Sequence, residues 1–229
     1  MTKLLSTEQM AEFANSGCLF FEGLIDEDIN KEFLNDIGHT DIDDVDNIQH
    51  YFQNIKSSSS IPRIPAGTAL KDAYPLNSPL EKIFKNEIVS GAINSLVGSK
   101  TVVDHQFLHL TFPSKYYEKA NQRQMSQVNH QDSTIDPRTT FDIQLFYFPT
   151  AVTKEMGGTR YIPGTHLRIV NEMGIAKYQN IKGQKNIICK AGTIGIFHNG
   201  LWHGAGVNFS DDIRYMFKVR LQPTEKQEL

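Results

Sequence analysis

Two stretches decide the fold: Phe141-Asp-Ile-Gln-Leu-Phe-Tyr-Phe148 and Ile213-Arg-Tyr-Met-Phe-Lys-Val-Arg-Leu221. In each, alternate residues separate onto two faces, the period of an extended strand. One face is apolar throughout, with Phe141, Ile143, Leu145 and Tyr147 in the first stretch and Ile213, Tyr215, Phe217, Val219 and Leu221 in the second. The other face mixes Asp142, Gln144, Phe146 and Phe148 with Arg214, Met216, Lys218 and Arg220. A sheet of such strands packs one face under helices. Its mixed face looks either at bulk water or into a polar cavity between two sheets.

Outward from these stretches, Val102–Phe112, Thr159–Ile162, Ile187–Lys190 and Ile194–His198 are further short runs of branched and aromatic residues, separated by Gly, Pro, Asn and Asp. The front of the chain reads differently. Ser6 and Gln9 have the spacing of a capping box ahead of Met10, Phe13 and Ala14, and Gly17 ends that helix. Cys18–Phe21 has strand character, Asp26 is placed to cap a helix through about Ile37, and Pro79–Val97 has helical periodicity up to Gly98. Residues 39–79, with Asp41, Asp43, Asp44, Asp46, the serines 57–60 and four prolines, read as mostly irregular. With no repeat and no alternation of strand and helix in the second half, the pattern predicts a mainly β fold with N-terminal helices, an antiparallel sandwich or jelly roll. One domain over 1–229 is expected, with a helical front (1–100) and a jelly-roll core (101–222).

Composition excludes several classes of partner. The 229 residues carry a formal net charge of −3, which lacks the concentrated positive charge that nucleic acid binding requires. No run is long and apolar enough for a membrane span. Only Cys18 and Cys189 occur, far apart, and the opening Met1-Thr-Lys-Leu-Leu5 has no signal-peptide character, so a reducing cytoplasm is the expected compartment.

His130-Gln-Asp132 offers two metal ligands at i and i+2, on one side of an extended chain and about 7 Å apart between Cα atoms. A lone His-x-Asp is a weak signal; His203, in Leu201-Trp-His-Gly204 at the start of another β run, is the candidate third ligand. Two histidines and a carboxylate leave open positions on an octahedral ion, as in non-haem Fe(II) oxygenases. Zinc is the competing metal, but it leaves Arg214 unexplained.

Asn208–Asp212 reads as a turn, so the segments carrying His203 and Arg214 are expected to form an antiparallel hairpin. With the even loop Phe209–Asp212, Val207 pairs with Arg214 and His203 with Lys218, which puts His203 and Arg214 on one face; an odd loop turns the arginine away. On the even register the two lie roughly 13 Å apart along the sheet. That leaves room for a small dicarboxylate held by metal at one end and by the guanidinium at the other. A surface arginine paired with Asp211 or Asp212 is the alternative.

Gly157-Gly-Thr-Arg-Tyr-Ile-Pro-Gly-Thr-His166, Gly192-Thr-Ile-Gly-Ile-Phe197, and Leu201-Trp-His-Gly-Ala-Gly-Val-Asn208 ahead of Arg214, with His130-x-Asp132 upstream, resemble the phytanoyl-CoA dioxygenase (PhyH-like) family. The N-terminal segment Leu5–Gly23 resembles that family's opening helix and strand. The resemblance implies a double-stranded β-helix (cupin-like jelly roll) and an Fe(II)/2-oxoglutarate-dependent oxygenase that uses O2 to oxidise a small molecule. It makes His130, Asp132 and His203 the catalytic metal ligands and Arg214 the cosubstrate anchor. It also puts Phe146, Leu108 and Gln106 along the cosubstrate pocket.

Two positions depart from the family. Ala205 stands where many relatives have a serine or threonine, and the family's lysine near the cosubstrate has no match beyond a conceivable Arg63. Asp132 favours hydroxylation over halogenation, with desaturation, ring closure or epimerisation sharing the same residues. Two other readings stay open, a non-catalytic metal and 2-oxoglutarate-binding module and a cupin-like metal-dependent isomerase or hydrolase. His166 reads as a structural histidine in a turn, and His203 is preferred to His198 as a ligand. His105 and His109 lie on one side of their strand, opposite Gln106. Segments 39–79 and 113–128 are where selectivity is expected.

Overall fold

The computed structural model describes residues 3–39, 61–119, 122–132, 142–168 and 181–224. Residues 40–60, with the acidic patch and the serine run, lie outside them, as does Phe141. The first helix, α1 (Thr7–Ser16), starts with the reciprocal bonds of a capping box between Ser6 and Gln9. It ends at Gly17, whose φ of 76° is the left-handed conformation that glycine adopts without strain. Strand β1 (Cys18–Phe21) follows, and then α2 (Glu27–Asp36). Where the sequence predicts a single helix over Pro79–Val97, there are two: α3 (Pro79–Lys85) and α4 (Glu87–Leu96). Asn86 separates them because its backbone is extended, and its side-chain oxygen accepts from the amides of Ile88 (3.0 Å) and Val89 (3.3 Å). A strong cap inside a periodic run thus ends one helix and starts another.

The strands are β2 (Thr68–Ala69), β3 (Thr101–Thr111), β4 (Gln127–His130), β5 (Ile143–Phe148), β6 (Thr159–Tyr161), β7 (Lys185–Asn186), β8 (Thr193–His198), β9 (His203–Ala205) and β10 (Arg214–Pro223). They form two antiparallel sheets, one in the order β1-β8-β5-β10-β3-β2 and one in the order β4-β9-β6-β7. The short helix α5 (Ser114–Lys119) lies between β3 and β4.

The larger sheet buries both faces of its central strands, so of the two settings open to the mixed face the interior one is found. Ile143, Leu145, Tyr147, Phe217 and Val219 pack with Phe33, Leu80, Ile83 and Val89 of the helices. Tyr147 illustrates the fit: its ring meets Phe33 edge-on at 5.3 Å, and its hydroxyl donates to buried Asn30 at 2.7 Å. The opposite face carries Phe146, Phe148 and Phe197, which pack with Tyr161, Ile187 and Leu201 of the smaller sheet and its connections. The mixed face therefore looks into the interior of a sandwich, with its polar end left as a cavity.

The hairpin expected between His203 and Arg214 does not form. β9 and β10 lie in different sheets: His203 pairs with His130 and Tyr161, and Arg214 pairs with Thr111. Asn208 makes the chain cross over rather than fold back. Its side-chain amide donates to the carbonyls of Thr111 and Asp212, and its amide oxygen accepts from Ser210. Each side of the crossover still turns inward, so His203 and Arg214 face the same interior by another route.

One close approach holds the two sheets around that interior. Gly157 has φ of 59°, and a Cβ there would lie 2.0 Å from the Val207 carbonyl oxygen; the Gly157 carbonyl accepts from the Gly206 amide at 2.8 Å. Gly157→Ala is expected to destabilise the protein by more than about 3 kcal/mol, from the left-handed φ and the backbone collision together. Gly38→Ala, at φ of 71° with open space around it, is expected to lose only about 1–2 kcal/mol. Asn86→Ala is expected to lose about 1 kcal/mol through the cap alone. Denaturant midpoints at unchanged slope check all three; equal losses at Gly157 and Gly38 contradict the role given to the close approach.

Candidate metal centre

His130 ends β4, His203 begins β9, and the two are paired directly across the strands. Their side chains therefore share a face, with ring centroids 4.4 Å apart. Asp132, two residues beyond His130, reaches the same point. Its Oδ1 lies 3.2 Å from His130 Nε2 and its Oδ2 lies 3.4 Å from His203 Nε2. One donor atom from each of the three falls within 4.8 Å of the others, and no second such group occurs among the described residues.

The tautomers suit a cation. His130 Nδ1 lies 2.9 Å from the carbonyl of Val128 and His203 Nδ1 lies 2.9 Å from that of Leu201. A carbonyl only accepts, so each Nδ1 carries a proton and Nε2 is the ring atom turned toward Asp132, where it can donate to the carboxylate or, once deprotonated, ligate a metal. Burial lowers the His203 pKa to about 4, which keeps that imidazole neutral. For His130 burial also disfavours the charged form, but the bonds to Asp132 and to the Val128 carbonyl outweigh it and the pKa is raised. Burial opposes ionisation of Asp132, and the contacts with His130, His203 and Lys218 overcome this, holding its carboxyl far below the usual range. A buried neutral imidazole, a second imidazole that releases its Nε2 proton to an incoming cation and an ionised carboxylate form a donor set that a divalent transition metal takes.

Arg214 is buried rather than paired at the surface; Asp211 instead binds Lys115 at 2.7 Å. The guanidinium donates to the carbonyls of Met156 (2.7 Å) and Gly157 and to the Thr111 hydroxyl (2.9 Å). These bonds use three of its five N–H groups and fix its plane in the cavity. Arg214, His203, Phe146, His109, Thr159 and Lys218 line one cavity of about 400 Å³. A larger cavity of about 600 Å³ opens on the helical side, around Tyr74, Phe84, Ile93 and Val102. It has no comparable ligand cluster among the described residues, so chemistry rather than size marks the site.

Four of the sequence-predicted site residues thus come together, and Phe146 joins them. Gln106 and Leu108 do not. Leu108 pairs with Phe217 and Gln106 with Val219, the residues of β10 that face the helices. Leu108 packs into that core, and Gln106 accepts from the Tyr74 hydroxyl at 2.8 Å and donates to the Pro62 carbonyl at 2.6 Å. The phase of β3 was ambiguous because neither of its alternating sets is purely apolar. His105, Phe107 and His109 are the residues of β3 that share the face of Met216 and Lys218.

Lys218 is the residue that sequence reasoning left unassigned. Its ammonium lies 2.5 Å from Asp132 Oδ2, with both side chains largely buried. A lysine on the inward face of a core strand, four residues from Arg214, was the available signal. The hydroxyl missing at Ala205 is present on the adjacent strand, where Thr159 pairs with Ala205 and lines the cavity. His198 stays out of the cluster, its Nδ1 accepting from the Gly200 amide, and His166 is buried against α1, near the Ala14 carbonyl.

The solved structures most like this one share its fold at low identity. The α-ketoglutarate-dependent carbocyclase SnoK from nogalamycin biosynthesis is 17% identical with a TM-score of 0.66, over 98% of this chain and 88% of its own. HygX from Streptomyces hygroscopicus, solved with nickel and 2-oxoglutarate bound, is 12% identical with a TM-score of 0.67, over 97% and 88%. The epimerase SnoN, from the same nogalamycin biosynthesis, is 16% identical with a TM-score of 0.63, over 93% and 81%. No curated protein sequence matches the chain. The family model described as phytanoyl-CoA dioxygenase (PhyH) matches residues 13–216, and the chain accordingly belongs to that family.

Proposed function

We propose that the protein is an Fe(II)- and 2-oxoglutarate-dependent oxygenase that hydroxylates a small molecule. His130, Asp132 and His203 hold the iron, and Arg214 binds the distal carboxylate of 2-oxoglutarate. The observation that carries this reading is a His130, Asp132, His203 cluster whose His203 lines the same cavity as a buried, oriented arginine. A zinc hydrolase or isomerase explains the cluster but gives Arg214 no task. HygX, a structural relative, has been solved with iron and with nickel and 2-oxoglutarate. SnoK and SnoN are a carbocyclase and an epimerase on this same fold, so fold alone does not choose among oxidations.

With O2, the bound iron supplies the oxidising chemistry in which 2-oxoglutarate leaves as succinate and CO2. The chain's own residues set the conditions. The carbonyls of Val128 and Leu201 hold the Nδ1–H of each ring, which turns both Nε2 atoms toward the position a metal would take. Asp132 supplies the charge that a halide would otherwise provide, which favours hydroxyl delivery. Arg214, held by Met156, Gly157 and Thr111, offers its remaining N–H groups to a carboxylate, and Phe146 and Met216 exclude water beside it.

Iron-loaded protein is expected to release succinate from 2-oxoglutarate in an O2-dependent manner, and His130→Ala to reduce that release to background. Arg214→Lys is expected to raise KM for 2-oxoglutarate about tenfold to a hundredfold, the loss of a forked charged hydrogen bond. Zn(II)-supported turnover without O2, or an unchanged KM in Arg214→Lys, contradicts the proposal.

A further inference from the structure

We infer that Lys218 is a substrate-binding residue, and that the substrate carries a carboxylate on an apolar body. This rests on the reading of the site given above. In the structure, the Lys218 ammonium is paired with Asp132. Loading the site changes that balance of charge. A divalent ion is answered by Asp132 and by the proximal carboxylate of 2-oxoglutarate, and Arg214 is answered by the distal carboxylate. Among the described residues, one cation, Lys218, is then left inside the cavity without a full counter-charge, and a buried cation needs one.

The other charges facing this interior do not supply it. Arg220, the next inward residue of β10, is engaged with Asp142 at 2.5 Å and with Asp104 at 3.6 Å, so those two acids are already shared with a guanidinium. His109 lines the cavity with its pKa lowered to about 4, by burial and by the charges of Lys218 and Arg214, so it stays neutral. Among the described residues its buried Nε2 has no hydrogen-bond partner, which leaves it available to a polar group of a ligand. A single ammonium matches a monoanion, and a carboxylate is the monoanion that one ammonium and a neutral imidazole suit.

The surroundings define the rest of the ligand. Lys218 sits on β10 between Phe107 of β3 and Phe146 of β5, each paired directly across from it. Phe107 is 51% exposed and Met125, at the cavity lining, is 82% exposed. On its edge away from β10, β3 has no strand partner beyond Val103 among the described residues, so this side is the cavity's mouth. An ammonium flanked by two phenyl rings at an apolar mouth selects a carboxylate attached to an aryl or aliphatic body.

The test uses the Mn(II)-loaded full-length chain, saturated with 2-oxoglutarate, titrated calorimetrically with 3-phenylpropionate and with its neutral amide. Metal-dependent binding of 2-oxoglutarate is read first; its absence overturns the proposed function itself. Given that binding, the wild type is expected to bind the acid at least tenfold more tightly than the amide. Lys218→Met is expected to abolish the preference while leaving 2-oxoglutarate affinity within threefold, and Lys218→Arg to restore part of it. Equal or undetectable binding of acid and amide to the wild type overturns the assignment. So does a Lys218→Met variant that keeps the preference, or one that loses 2-oxoglutarate instead, which places the lysine on the cosubstrate.

Discussion

Charge inside a β-sandwich must be answered, and the architecture of this protein follows from how it is. Strand β10 sends Tyr215, Phe217, Val219 and Leu221 to the helices and Arg214, Lys218 and Arg220 to the space between the sheets. Leaving such charges unpaired in a low-dielectric interior costs several kcal/mol each. Each has a distinct solution: Arg214 on main-chain carbonyls and Thr111, Lys218 on Asp132, Arg220 on Asp142. The pairing at Arg220 joins β10 to the residue just before its neighbour β5 in the large sheet and is structural. That at Lys218 reaches across to the segment following β4, next to two imidazoles. The guanidinium of Arg214 spends its bonds on neutral carbonyls and so keeps its charge available to an anion.

The same constraint explains why the glycines between β6 and β9 matter to the site. The carbonyls of Met156 and Gly157 can face Arg214 only because the chain at Gly157 passes against Gly206 and Val207 with no side chain between them. A backbone collision there acts on the arginine as well as on the fold. Similarly, the carbonyls of Val128 and Leu201, each two residues before the histidine it orients, come from local backbone and are independent of any ligand. Both imidazoles are thus oriented by the backbone alone, the preorganisation that the proposed metal site would use.

Much of this was legible in the residues because the relevant periods are short. Alternation in 141–148 and 213–221 predicted a helix-covered sheet whose mixed face met either water or a cavity, and β3, β5, β6, β8 and β10 overlap their predicted runs, whereas β2 and β4 had none. His130, Asp132, His203 and Arg214 were found by residue type and by family resemblance. The illegible parts depended on partners rather than on periods. Asn208 looks like a hairpin turn in sequence, but its side chain spans two sheets. The split at Asn86 hides within a helical pattern because the residue serves as the cap of both helices. The phase of β3 is set by its pairing to β10, through a bulge beside Arg220, and no feature of β3 alone distinguishes Gln106 and Leu108 from Phe107 and His109. Lys218 was visible as a lysine on the inner face, but its role needed the position of Asp132.

The most direct measurement is an anaerobic crystal structure of the chain with Fe(II) and 2-oxoglutarate. The account predicts one iron ligated by His130 Nε2, His203 Nε2 and a carboxylate oxygen of Asp132, with the far carboxylate of 2-oxoglutarate on the Arg214 guanidinium. Iron bound elsewhere, or 2-oxoglutarate anchored by a group other than Arg214, contradicts it.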